Sequence, residues 1–124
     1  MAQETISRWF PAADAQVDEL RDRVHAALKS ADPVGYPRAY RLFATSDDRF
    51  AGRIADLQMP ALFSTGELDS NSTPEMSETM ARLAPAGEAV TIPGQRHMMT
   101  LAAPELVNLA LERFQLSPAV RRIG

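Results

Sequence analysis

The chain has 124 residues, 45% of them hydrophobic, no cysteine and a formal net charge of −3 at pH 7. That length suits one domain, and the acidic balance argues against nucleic acid or an anionic membrane as partner, because both need a basic face. Without cysteine there can be no disulfide, no thiolate-bound zinc and no thiol nucleophile, which fits a cytoplasmic location. The start, Met1 to Thr5, has no basic stretch followed by an apolar core, so it does not read as a signal peptide. No apolar run approaches the roughly 18 residues that a membrane span needs, and the chain reads as soluble.

The section from Ile6 to about Phe50 reads as helical. Val17, Leu20, Val24 and Leu28 recur at helical spacing, with Asp18, Arg21, Asp22 and Arg23 between them. Pro33 and Gly35 break that helix. A second helix is expected from Pro37 to Ala44, with Tyr36, Tyr40 and Phe43 as its apolar side, ending in a polar turn at Thr45, Ser46, Asp47 and Asp48.

A short helix is expected near Phe50 to Leu57, followed by an apolar run from Met59 to Gly66. A short apolar segment between proline and glycine suits a buried parallel strand. Glu67 to Thr73 reads as polar loop. Pro74 then opens a helix, capped by Ser72 or Thr73, with Ser72 and Glu75 at capping-box spacing. Met76, Met80 and Leu83 form its expected buried stripe, and Pro85 and Gly87 end it.

Ala89 to Ile92 reads as a second strand, closed by Pro93 and Gly94 and followed by a loop containing His97. Pro104 starts a last helix with Leu106, Val107, Ala110, Leu111 and Phe114 on one face. The tail from Ser117 to Gly124 is expected to fray. Strand, helix, strand, helix is the order of a parallel α/β sheet. Two strands alone are few for a sheet that normally needs cover on both faces.

Pro60 to Pro74, with Gly66, Glu67, Leu68 and Asp69 at its centre, resembles the late core strand and acid-bearing loop of the α/β-hydrolases. Ile92 to His97, then Pro104, Glu105 and an amphipathic helix, resembles that family's last strand, histidine loop and closing helix. Upstream, Arg8-Trp9-Phe10 and Ala31 to Tyr36 resemble the helical cap of the enol-lactonase and related carboxylic-ester hydrolases. The resemblance runs from about Ser7 to Phe114 with acid before histidine, as in the family. It implies Asp69 as the triad acid, at the family's Gly-x-x-Asp spacing from Gly66, with Glu67 and Asp56 as weaker candidates. It implies His97 as the general base and acid, and it implies no cofactor and no metal.

The nucleophile is what the sequence lacks. The family places it in a G-x-S-x-G turn. The glycines here are Gly35, Gly52, Gly66, Gly87, Gly94 and Gly124, and none has a serine two residues on. The His-Gly oxyanion-hole segment and a Gly-x-Asp-x-Gly variant are absent as well. Acid and base without the serine should do almost nothing, because triad members act as a unit.

Other residues carry plainer readings. His25, among Arg21, Arg23 and Lys29, reads as a surface or boundary residue. With only two histidines, a histidine-rich metal site is excluded. Met98 and Met99 suit packing or an acyl pocket, and Trp9, Tyr36, Tyr40 and Phe43 suit either core or a lid over substrate. Asp47 and Asp48 suit a solvated turn rather than a metal site.

The expected fold is therefore α/β: a helical cap segment over residues 1–50, a hydrolase core segment with the last two parallel strands and helices over 51–116, and a tail over 117–124. The expected function is the C-terminal portion of a hydrolase of an ester, lactone or similar carboxylic derivative, inactive alone. That substrate would bind only once the missing half completes the site. The alternatives are one subunit of a split hydrolase and a non-catalytic binding or assembly module. An uncovered strand edge also predicts self-association or a complementing chain.

Overall fold

A computed structural model describes residues 2–10 and 15–121 of the chain. Helix α1 (Ala2–Trp9) precedes α2 (Ala15–Ser30), and the two pack together. The stripe read from the sequence is the one that α2 buries. Val17 joins Ile6 and Phe10 in a small core, with Leu20, Val24 and Leu28 packed against it. Phe10 is fully buried, which for a phenylalanine contributes about 1.5–3 kcal/mol.

Helix α3 (Gly35–Ala44) starts two residues before the expected Pro37. Asp32 causes the shift: its Oδ1 accepts the Val34 amide at 3.1 Å and also the Gly35 amide, satisfying donors that a helix start leaves free. Tyr36 and Tyr40 stack with ring centroids 6.4 Å apart. The apolar side of α3 is not core, however, since Tyr40 is 62% and Phe43 72% exposed. The expected polar turn is also only partly a turn. Helix α4 (Asp47–Ala51) begins inside it; the side chains of Asp47 and Asp48 lie outside the described residues. A 3₁₀ turn at Ile54–Asp56 leads into the sheet.

Strand β1 (Ala61–Gly66) pairs in parallel with β2 (Gly87–Ile92), in the register Ala61 to Gly87 through Gly66 to Ile92. Strand β2 therefore begins two residues before the expected Ala89. Between them lies α5 (Pro74–Leu83), which packs on both strands. Gly87 permits this: a Cβ there would collide with the Ala81 backbone of α5.

The N-cap of α5 is Thr73, whose Oγ1 accepts the Met76 amide at 3.4 Å. Ser72 does not form the expected capping box; its carbonyl instead accepts the Thr65 hydroxyl. The buried side of α5 is also different from the expected stripe. Ser77 and the following Ala84 are buried, while Met76 and Leu83 are 49% and 48% exposed. Small residues bring the helix close to the sheet, and the larger apolar ones point where this chain offers no cover.

The Ala61 amide donates to Ala86 O and the Glu67 amide to Ile92 O. The odd-numbered residues of β1 thus bond to β2. In a parallel ladder, the backbone groups of Leu62 and Ser64 then face the opposite edge. No strand among the described residues pairs there.

After β2 come α6 (Met99–Ala102), α7 (Pro104–Gln115) and α8 (Pro118–Arg121). Met98 and Ala102 pack on the α1–α2 core, tying the two parts of the chain together. Val107 is buried in α7, whereas Leu106 and Leu111 on its expected apolar face are exposed. The tail holds a helical turn up to Arg121, and residues 122–124 lie outside the described ones. No helix among the described residues is long and apolar enough to cross a membrane.

Candidate active site

The C-terminal ends of the two parallel strands feed two loops, the place where open α/β sheets present their polar groups. The β1–α5 loop carries Asp69 and the β2–α6 loop carries His97. Their backbones are joined directly: Glu67 N donates to Ile92 O at 3.0 Å and Leu68 N to Gln95 O at 2.8 Å. The Glu67 carboxylate accepts the Gly94 amide at 2.7 Å. Gly94 takes a positive φ of 66°, the left-handed region that glycine enters without strain.

Gly66 serves the same closure. A Cβ at that position would collide with the Gln95 and Arg96 carbonyl oxygens. The glycine that suggested the Gly-x-x-Asp motif is thus required by the approach of the histidine loop.

Asp69 and His97 meet. His97 Nδ1 lies 2.9 Å from Asp69 Oδ2, with the Asp69 side chain 5% and the His97 side chain 33% exposed. The second oxygen, Oδ1, accepts the Asn71 amide at 2.8 Å and the Ser72 amide at 3.0 Å. Burial alone would raise the Asp69 pKa. Hydrogen bonds from Ser72, His97 and Asn71, with the attraction of a charged His97, outweigh it and hold the carboxyl below its ordinary value. The carboxylate therefore stays ionised and faces Nδ1. That fixes the neutral imidazole with its proton on Nδ1 and leaves Nε2 as an acceptor.

The other acid candidates fall elsewhere. Glu67 is committed to Gly94. Asp56 sits exposed in the 3₁₀ turn beside Arg53, 3.9 Å away. His25 lines a shallow cleft with Ile6, Ser7, Asp18, Arg21 and Asp22. Met98 is spent on packing against the core. Among the described residues, no three histidine or acidic side chains gather to hold a metal.

One neighbour of the pair was not singled out for it in the sequence. The Trp9 ring lies 5.5 Å from the His97 ring. The two residues are far apart along the chain, and no local spacing links them.

Two parallel strands whose C-terminal loops pair a buried carboxylate with an imidazole, in acid-then-histidine order, are the C-terminal part of an α/β-hydrolase fold. That is the fold of this chain. It is 40% identical over 108 residues to the (E)-2-((N-methylformamido)methylene)succinate hydrolase of Acinetobacter baylyi, a match covering 86% of this chain and 40% of that protein.

Among solved structures, a thermophilic esterase from Thermogutta terrifontis, in its malate-bound form, superposes with a TM-score of 0.77 at 28% identity. That match covers 91% of this chain and 42% of the esterase. A bromoperoxidase from Bacillus anthracis superposes with a TM-score of 0.80 at 22% identity, over 94% of this chain and 43% of the other. No protein-family model matches. The chain thus spans less than half the length of each of these relatives.

Proposed function

We propose that this chain supplies the acid and the base of a serine-type hydrolase of carboxylic derivatives, with the attacking hydroxyl brought by polypeptide outside these 124 residues. The 2.9 Å hydrogen bond between His97 and a buried, ionised Asp69 carries the reading. With Nδ1 held by Asp69, Nε2 can take a proton from an attacking hydroxyl and return it to the leaving group. Asp69 keeps the tautomer and stabilises the imidazolium that forms between those steps. The sequence has no G-x-S-x-G turn to provide the hydroxyl, so the chain alone is inert.

The substrate class rests on the relatives: one is named as a hydrolase of (E)-2-((N-methylformamido)methylene)succinate, another as an esterase. An ester, lactone or similar carboxylic derivative fits both names. The test is complementation in trans, using a polypeptide that carries the G-x-S-x-G turn and the strands before it. Ester hydrolysis should appear only in the mixture and disappear with His97→Ala. Turnover by the chain alone would overturn the reading.

The exposed Tyr40 and Phe43 of α3 and the open edge of β1 favour a second reading, a non-catalytic assembly module. Such a module would bind its partner, or itself across a twofold axis, with His97→Ala as well as without it. A monomer in light scattering over a wide concentration range, with no partner bound, would end it.

A further inference from the structure

The imidazole has a second neighbour that the acid–base pairing leaves unexplained. Trp9, the last residue of α1, places its ring 5.5 Å from the His97 ring with the planes tilted by 35°. The backbone repeats the connection, because the Met98 amide donates to the Trp9 carbonyl at 3.0 Å. Next to it, fully buried Phe10 anchors this end of α1 in the core on which Met98 also packs. The Trp9 backbone is therefore tied to the histidine loop beside a buried anchor.

An aromatic ring attracts a cation within about 6 Å of its centre, and an indole does so best. A neutral imidazole gains little from the same contact. Asp69 and Trp9 are thus both neighbours of the His97 ring, one through a hydrogen bond and one through a ring contact. Of the other charged groups on the packed elements, Glu4 and Arg8 on α1 are exposed and Arg96 on the histidine loop is half-buried. Asp69 is the charged group hydrogen-bonded to the ring.

We propose that Trp9 is a positioning residue for His97, holding the ring with Nδ1 on Asp69 and stabilising its imidazolium through the adjacent indole ring. The consequence for catalysis rests on the hydrolase reading above; the consequence for the ring contact does not. Trp9 is also the only tryptophan in the chain. Its emission should therefore report the protonation of His97, since an imidazolium beside an indole quenches it.

The experiment follows the two histidines by NMR in the intact chain, assigned with His25→Gln. Trp9→Leu should move the His97 ring resonances and weaken the signal of the Nδ1 proton shared with Asp69, Trp9→Phe should restore part of that change, and the His25 resonances should stay where they are. Unchanged His97 ring resonances in a folded Trp9→Leu chain would overturn the proposal. If Trp9→Leu does not fold, the wild-type emission decides. Quenching on acidification that is lost in His97→Gln supports it, and emission indifferent to His97 overturns it.

Discussion

The Leu68 amide donates to the Gln95 carbonyl at 2.8 Å, one residue before the acid and two residues before the histidine. Through this bond the β1–α5 and β2–α6 loops form one rigid support, so the separation of Asp69 and His97 is set by backbone rather than by two flexible side chains. Positioning of that kind is what proton transfer requires.

Gly66 is the residue that lets those loops close. Gly66→Ala places a methyl group against the Gln95 and Arg96 carbonyls, and the histidine loop must move away. Denaturant unfolding should show a loss of about 1–3 kcal/mol, and the hydrogen bond between Asp69 and His97 should lengthen or break.

Asp69 separates two effects that its removal would mix. Asp69→Ala strands the Asn71 and Ser72 amides that Oδ1 now satisfies, and should destabilise the chain by about 1–3 kcal/mol. Asp69→Asn keeps an acceptor for those amides but loses the charge, so it should cost less stability. It should still weaken the hold on the His97 Nδ1 proton, which the NMR resonance of that proton reads directly. Equal losses from the two substitutions would show that the amide bonds contribute nothing.

The same carboxylate predicts a pH profile. Its folded pKa lies below the ordinary value of 3.8, so the unfolded chain binds the proton more readily. Its stabilisation is then fully present above the ordinary carboxylate range and is lost as pH falls through that range toward the folded value. Unfolding free energy measured from pH 6 down to pH 2 should fall less steeply in Asp69→Asn than in the wild type.

The cap of α5 offers a control away from the site. Thr73→Ala removes the side-chain acceptor for the Met76 amide and should cost about 1 kcal/mol in thermal or chemical unfolding. The hydrogen bond between Asp69 and His97 should not change.

Both strands were legible in the sequence because their signals are local. Pro60 and Gly66 bracket one apolar run, and Pro93 and Gly94 close the next. Asp69 and His97 were named through the resemblance instead, and the fold brings their side chains together. The start of β2 was not, since Gly87 and Glu88 look like turn and surface residues until their register with Ala61 and Leu62 is known. The stripe of Met76, Met80 and Leu83 misled for a different reason. Helical periodicity finds an apolar side but cannot say whether the same chain covers it: Met80 is half-buried, Met76 and Leu83 are exposed, and the buried residue of α5 is Ser77. Tyr36, Tyr40 and Phe43 failed as core in the same way. The approach of Trp9 to His97 depends on tertiary packing alone.

The most direct test exchanges this chain for the matching C-terminal portion of the Acinetobacter hydrolase, guided by the 108 aligned residues. The chimera should hydrolyse that enzyme's substrate. It should lose on the order of 10⁴-fold in kcat with Asp69→Asn and at least as much with His97→Ala. A folded chimera without activity, or one whose activity survives His97→Ala, would contradict the assignment of Asp69 and His97 as the acid and base of a hydrolase.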